Sequence, residues 1–263
     1  MCGAGTLPAR MAAEARRRGW RVVAFAFHEP SEIAAHVDVV IPSRYEALGP
    51  VLAGLQAERA GAALFSGRFS MPDVVRTDAR QADALFRSMN ERAGSRIDAN
   101  FAGSVIATLA AFGIEVLDQR PFFGDALATA GPLTRRVPSE AELADVRRGF
   151  EVARSVADAR VGQTVVVRHG VVTAVEAVEG TSEAIRRGAA HAGPGAVVVK
   201  VAARDQDYRF DVPAAGMETL EAARDGGVTV LAVESERVAV LDRAAVAEAA
   251  DAAGMAVISV SAP

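Results

Sequence analysis

A chain of 263 residues, 51% hydrophobic and 24% charged, is long enough for one large or two modest cores and too apolar for disorder. Its 29 Lys and Arg against 33 Asp and Glu give a net charge of -4, which removes any general electrostatic reason to bind a nucleic-acid backbone. The single cysteine, Cys2, cannot close an internal disulfide, no charged-then-apolar leader precedes the first motif, and no run approaches about 18 apolar residues, so a cytoplasmic protein without a spanning helix is expected.

The opening Met1-Cys2-Gly3-Ala4-Gly5-Thr6-Leu7-Pro8 is a glycine loop feeding a helical pattern over residues 8–18. Small residues there let main-chain N–H groups approach a phosphate, with the helix dipole adding a favourable field, so Gly3 and Gly5 are candidates for substrate contact. The spacing is Gly-x-Gly without a third glycine, and no strand precedes it, so the first strand of the sheet is expected to be missing. Residues 21–27, 37–41 and 62–65 read as short buried strands, with a helix over 45–59 between the last two. Helical patterns follow at 80–92 and 100–112, and a strand at 114–117 ends this half. Strands alternating with helices predict a parallel sheet covered by helices, because parallel neighbours need long crossovers.

The apolar periodicity stops around residues 131–138, and Ser139 with Glu142 then has the form of a capping box, which places a boundary between domains 1–134 and 135–263. The second half carries strand-like runs at 164–167, 171–175, 196–201, 228–233, 238–241 and 256–260, with helices at 182–190, 217–224 and 243–253. Gly170 predicts a tight hairpin between the first two strands, so this sheet is expected to be mixed. The fold class is α/β in two domains.

Chemistry concentrates between Val161 and Asp211, where Gln163, Glu176, Glu179, Thr181, Lys200, Gln206, Asp207, Arg209 and Asp211 gather at the ends of apolar strands. A rigid α/β scaffold displays its reactive groups in such places. Glu179 and Thr181 taken singly also suit local helix capping. Asp207, Arg209 and Asp211 alternate with Tyr208 and Phe210, so an extended segment would set the three charges on one face. Such a face is either a solvated patch or a site in which Asp211 and a nearby carboxylate hold a hard divalent cation while Arg209 and Lys200 neutralise phosphate oxygens. Serine-elbow, Walker, zinc-protease and clustered Cys/His signatures are all absent, and His28, His36, His169 and His191 are scattered.

The stretches GQTVVVRHGVVTAVEAVEGTSEAIRR, VVKVAARDQDYRFDVPAAGMETL and VAVLDRAAVAEAADAAGMAVI, with the opening GAGTLPARMAAEARRRGWRVVAFAF, resemble the bacterial UDP-2,3-diacylglucosamine pyrophosphatase family of lipid A biosynthesis, the type that is not a calcineurin-like phosphoesterase. The resemblance covers most of the chain and is loosest between residues 71 and 138. It implies a Rossmann-like N-terminal domain, a C-terminal α/β domain and a lipid held between them. It implies hydrolysis of UDP-2,3-diacylglucosamine to UMP and 2,3-diacylglucosamine 1-phosphate with Mg2+ or another divalent cation, by a cytosolic homodimer working at the inner face of the membrane. The family pattern falls on Gly162 and Gln163, on Glu176, Glu179, Gly180 and Thr181, on Lys200, on Gln206, Asp207, Arg209, Asp211 and Pro213, and on Gly216 and Thr219. Asp211, Arg209 and Lys200 are the implied catalytic residues. Asp211, Asp207 and Glu179 are the implied metal ligands, and Gly3, Gly5, Gln163, Thr181, Gln206 and Gly216 the substrate contacts.

The chain departs from the family pattern at Ser182, where an aspartate is usual, at Ala203 and Arg204, which replace a Lys-Pro pair, at Ala214, which replaces a threonine, and over residues 100–105. These departures keep open a relative that binds a nucleotide, sugar nucleotide or acyl lipid without this hydrolysis. A nicotinamide-dependent enzyme would rest on Gly3-x-Gly5 alone. Leu64, Phe65, Phe69, Met71, Leu85, Phe86 and Met89 make a Phe- and Met-rich band that suits an acyl chamber or an ordinary core.

Overall fold

A computed structural model describes residues 1–29, 32–69, 75–76, 78, 80–94 and 98–262. The chain forms two compact units, one of residues 1–123 with 207–211, the other of residues 124–206 with 212–263.

In the N-terminal unit β1 (Val23–Ala26) runs parallel to β2 (Val39–Pro42), and β3 (Ala62–Ala63) parallel to β4 (Glu115–Val116). Residues 1–4 lie between the two pairs. Cys2 bridges in parallel to Ala26 on one side and Ser66 on the other, with Cys2 N donating to Phe25 O at 2.9 Å and Gly3 N to Ser66 O at 2.8 Å. The expectation of a missing first strand is therefore corrected: this short segment takes the first-strand position, and it escaped notice because Met1-Cys2 is too short to register as an apolar run. The resulting order, β2, β1, residues 1–4, β3, β4, is parallel at both strand pairs and at both Cys2 bridges, with Ala4 bridging antiparallel to Arg68, and is the order of a doubly wound sheet. Around it stand α1 (Leu7–Arg17), α2 (Leu48–Ala57), α3 (Ala84–Ala93) and α4 (Asp98–Ala111). Asp83 starts α3 by accepting from Phe86 N, and its other oxygen accepts from Gly49 N in the first turn of α2, so one carboxylate ties two helices. Phe25, Leu55, Phe65, Met89, Leu109 and Ile114 fill the core.

The C-terminal unit is built on a mixed six-stranded sheet, as the hairpin at Gly170 predicted. Its order is β5 (Gly131–Pro132), β12 (Ala256–Val260), β10 (Val230–Glu234), β8 (Val197–Lys200), β6 (Thr164–Arg168), β7 (Val171–Val175). The three central strands are parallel, while β5, β6 and β7 are antiparallel to their neighbours. β8, β10 and most of β12 are buried on both faces, which is why they read as largely apolar, Val-rich runs. One face is covered by α5 (Glu140–Asp158) through Val146, Phe150 and Ala153. The other is covered by α6 (Thr181–Ala192), α7 (Met217–Asp225) and α8 (Arg243–Ala252) through Ile185, Leu220 and Val246. Ser139 and Glu142 form the expected capping box. Burial alone would raise the Glu142 carboxyl, but the Thr229 hydroxyl, the Ser139 N–H and Arg136 hold it down at about 2.

A last parallel pair joins β9 (Ala214–Ala215) to β11 (Ala239–Val240). The units divide at Phe123/Gly124 rather than near residue 134, because residues 126–132 are paired into the C-terminal unit. Val240 N donates to Ala126 O, and β5 pairs with β12.

Candidate functional site

A polar cluster within the C-terminal unit lies where β8, β7 and α6 end or begin. Lys200 is the last residue of β8, in register with Thr164 on β6 and Val233 on β10. Only 5% exposed, its ammonium Nζ donates to Thr181 Oγ1 at 2.7 Å, and Thr181, the first residue of α6, donates onward to Glu176 Oε1 at 2.7 Å. The other carboxylate oxygen of Glu176 accepts from Gln163 N at 3.2 Å. Gly162 is required beside it, since a Cβ there would come within 2.2 Å of Glu176 O. Burial pushes the Glu176 carboxyl up, but Lys200 and the hydrogen bonds from Thr181 and Gln163 prevail, and its pKa lies below the ordinary 4.5.

The Gln163 main chain and the side chains of Glu176, Thr181 and Lys200 are thus brought together. Gly180, with φ of 85°, begins α6 with no side-chain cap, and Thr181, the first residue of the helix, accepts from the buried ammonium. An ammonium and a helix N-terminus at the carboxyl end of a parallel strand suit an anionic group.

The remaining expected residues are placed differently. Glu179 pairs with Arg187 on α6 and accepts from it. Ser182 Oγ donates to Glu218 Oε1 at 3.1 Å, linking the first turns of α6 and α7, so a carboxylate still stands beside the position where the family pattern carries one. Gln206 accepts from Ala203 N at 3.2 Å through its side-chain oxygen, closing its own loop, and Gly216 is the residue before α7. Arg204 points to Asp158 on the surface.

Residues 207–211 belong to the N-terminal unit. They form a turn and not an extended strand, with Phe210 N and Asp211 N both donating to Asp207 O at 3.2 Å. This corrects the shared face expected for Asp207, Arg209 and Asp211. The Asp207 carboxylate accepts from Arg209 N at 3.0 Å, Nε at 2.9 Å and Nη2 at 2.7 Å, and a local bond of this kind favours a turn over extension. Hydrogen bonding to Asp207 raises the Arg209 pKa. A second pair in the same unit, Asp118 with Arg120, was not foreseen. Arg120 sits 4.4 Å over the Tyr208 ring, and Gln119 N donates to Tyr208 O at 3.0 Å. Among the described residues no group of three or more His, Cys, Asp or Glu side chains is placed to hold a metal ion.

The opening loop divides its two glycines between different tasks. Gly3 packs against the main chain of Arg68, where a Cβ would approach Arg68 O to 2.4 Å, and its N–H is spent on Ser66. Gly5 adopts φ of 95° and faces open space. Beside it a cavity of about 250 Å3 is walled by Pro8, Ala9, Ala26 and Ile33 and edged by His28, Glu29 and Glu32, which sequence reasoning passed over. Phe65, Phe86 and Met89 are core residues with Leu85 and Phe69 packed on them, while Met71 lies outside the described residues. No helix among the described residues is long and apolar enough to cross a membrane.

Comparison with known proteins accounts for both halves. The LpxI N-terminal domain matches residues 1–126 and the LpxI C-terminal domain residues 129–258. A protein of Caulobacter vibrioides named UDP-2,3-diacylglucosamine pyrophosphatase LpxI is 31% identical over 275 aligned residues, covering 99% of this chain and 96% of that protein. The resemblance carried by the motifs of the second half thus extends in order across the whole molecule, and the chain belongs to the LpxI family.

Proposed function

We propose that this protein hydrolyses the pyrophosphate bond of UDP-2,3-diacylglucosamine, releasing UMP and 2,3-diacylglucosamine 1-phosphate, from the cytoplasm at the inner face of the membrane and as a homodimer. The observation that carries this reading is the alignment of one chain with the other over nearly their full lengths, with the relative's name stating that substrate. In the reaction, water attacks one phosphorus of the diphosphate, a P–O bond to the bridging oxygen breaks, and that oxygen leaves on the other phosphate.

Asp211 positions the attacking water. Lys200, an ammonium with one donor engaged by Thr181, neutralises phosphate charge. Glu176 and Thr181 orient Lys200, and Gln163 steadies Glu176. Mg2+ ordinarily keeps several waters and takes one or two carboxylates together with phosphate oxygens, so Asp211 as its chief protein donor is compatible with the absence of a three-carboxylate cluster among the described residues. Asp207 and Glu179 are each paired with an arginine, Arg209 and Arg187 respectively. When bound, the ion offsets the charge that develops on the phosphates.

Incubation of the purified protein with UDP-2,3-diacylglucosamine and Mg2+ tests this. UMP release is expected from the wild type, with a loss of about a hundredfold or more in Asp211→Ala. A folded wild type that releases no UMP overturns the hydrolase, and release undiminished by a chelator overturns the part given to the cation.

A further inference from the structure

Beyond Lys200 the main chain leaving β8 is held by one main-chain bond and by two side chains, Glu234 and Arg237. Val201 N donates to Gln163 O at 3.0 Å, toward one neighbouring strand. The next amide, Ala202 N, donates to Glu234 Oε2 at 2.9 Å, toward the other. Glu234 is the last residue of β10 and 2% exposed, and its second oxygen accepts from Arg154 on α5, itself 7% exposed. Arg237 holds the same segment from its carbonyl side, donating to Ala203 O and, at 3.2 Å, to Arg204 O.

A buried carboxylate and guanidinium are a costly way to hold an apolar sheet together, because well-packed hydrophobic residues of similar volume serve stability as well or better. Arg154 Nε is left without a partner, so the pair is not even fully satisfied. What hydrophobic residues cannot supply is an acceptor for Ala202 N. We propose that Glu234 is a positioning residue for the hydrolysis. It fixes the main chain leaving β8, and through it the placement of Lys200 and of the loop ending at Gln206. This rests on the function proposed above and adds a residue that acts through Lys200 without touching substrate.

Two variants of the full chain separate this role from a structural one. Glu234→Gln keeps an oxygen for Ala202 N but leaves Arg154 buried without a counter-charge. Glu234→Met combined with Arg154→Met removes the buried pair and the acceptor, and leaves the partly exposed Arg237 without its 3.5 Å contact to Glu234 but still bonded to Ala203 O. The order of stability and the order of activity are then expected to cross. By urea unfolding the Gln variant is the less stable of the two, while in UMP release it keeps the higher kcat. The double Met variant loses about tenfold to a hundredfold in kcat with little change in KM. Stability and kcat falling in the same order, or a folded double Met variant with wild-type kcat, overturns the proposal. Amide exchange at Ala202 to Gln206 needs no turnover and is expected to quicken in the double Met variant alone. If the wild type releases no UMP, the hydrolase reading fails, while unaltered exchange in the double variant shows separately that Glu234 does not fix this segment.

Discussion

Glu176 shows how one buried carboxylate records its surroundings. Burial works against its charged form, yet Lys200, Thr181 and Gln163 keep its pKa below the ordinary 4.5. A carboxyl with a depressed pKa in the folded state contributes stability that is present above 4.5 and lost as pH falls toward the folded value. Lys200→Met removes the largest influence that opposes burial, so the folded pKa of this carboxyl is expected to rise from its depressed position. The stability that the charged carboxylate contributes above 4.5 is thereby reduced, and the reduction fades in acid, where the group is protonated. The variant's deficit against wild type, on the order of 1 to 3 kcal/mol near neutrality, is expected to shrink at about pH 4. Urea unfolding at the two pH values checks this, and an equal deficit at both contradicts the assigned coupling. Legibility in the sequence followed locality here. Gln163, Thr181 and Lys200 stood out as polar residues bordering apolar strands. Glu234 and Arg154 did not, since partners 80 positions apart leave no local pattern.

At the scale of elements, glycines mark where helices approach the sheet. Gly188 lies within α6, where an added Cβ would stand 2.6 Å from Val166 Cβ and 2.8 Å from Ala174 Cβ. Gly103 lies within α4 and faces open space. Alanine gains roughly 1 kcal/mol of helix propensity over glycine at either position, but overpacking costs about 1 to 3 kcal/mol where there is no room. Gly188→Ala is therefore expected to lower the unfolding midpoint and Gly103→Ala to raise it, and thermal unfolding of both reads the contrast. Two stabilised variants would mean that α6 can move off the sheet at little cost. The same packing explains which elements could be read beforehand. The strands β8, β10 and β12 declare themselves through long apolar runs, and α5 through its capping box. β5 and β9 are two-residue strands of Gly, Pro and Ala, created by pairing with distant β12 and β11, and no propensity announces them. The turn at Asp207–Asp211 was misread because alternating polar and apolar residues fit a strand until the Asp207 side chain closes on the following main chain.

At the scale of the molecule, the chain does not finish one unit before building the other. After Gln206 it supplies residues 207–211 to the N-terminal unit, then resumes the C-terminal unit at Val212. Phe210 packs against Phe65 with ring centroids 5.2 Å apart and joins the core that includes Phe25 and Leu109. A residue late in the sequence therefore completes the core of the first unit. Phe210→Ala is expected to destabilise the N-terminal unit by about 2 to 4 kcal/mol, although most of its sequence neighbours belong to the other unit. Hydrogen exchange locates the effect: amides of Phe65, Leu109 and Val116 should lose protection, while those of Val198, Leu231 and Val257 in the central strands of the second sheet keep it. Loss of protection confined to the second sheet would show that residues 207–211 stabilise the unit they leave rather than the one they enter.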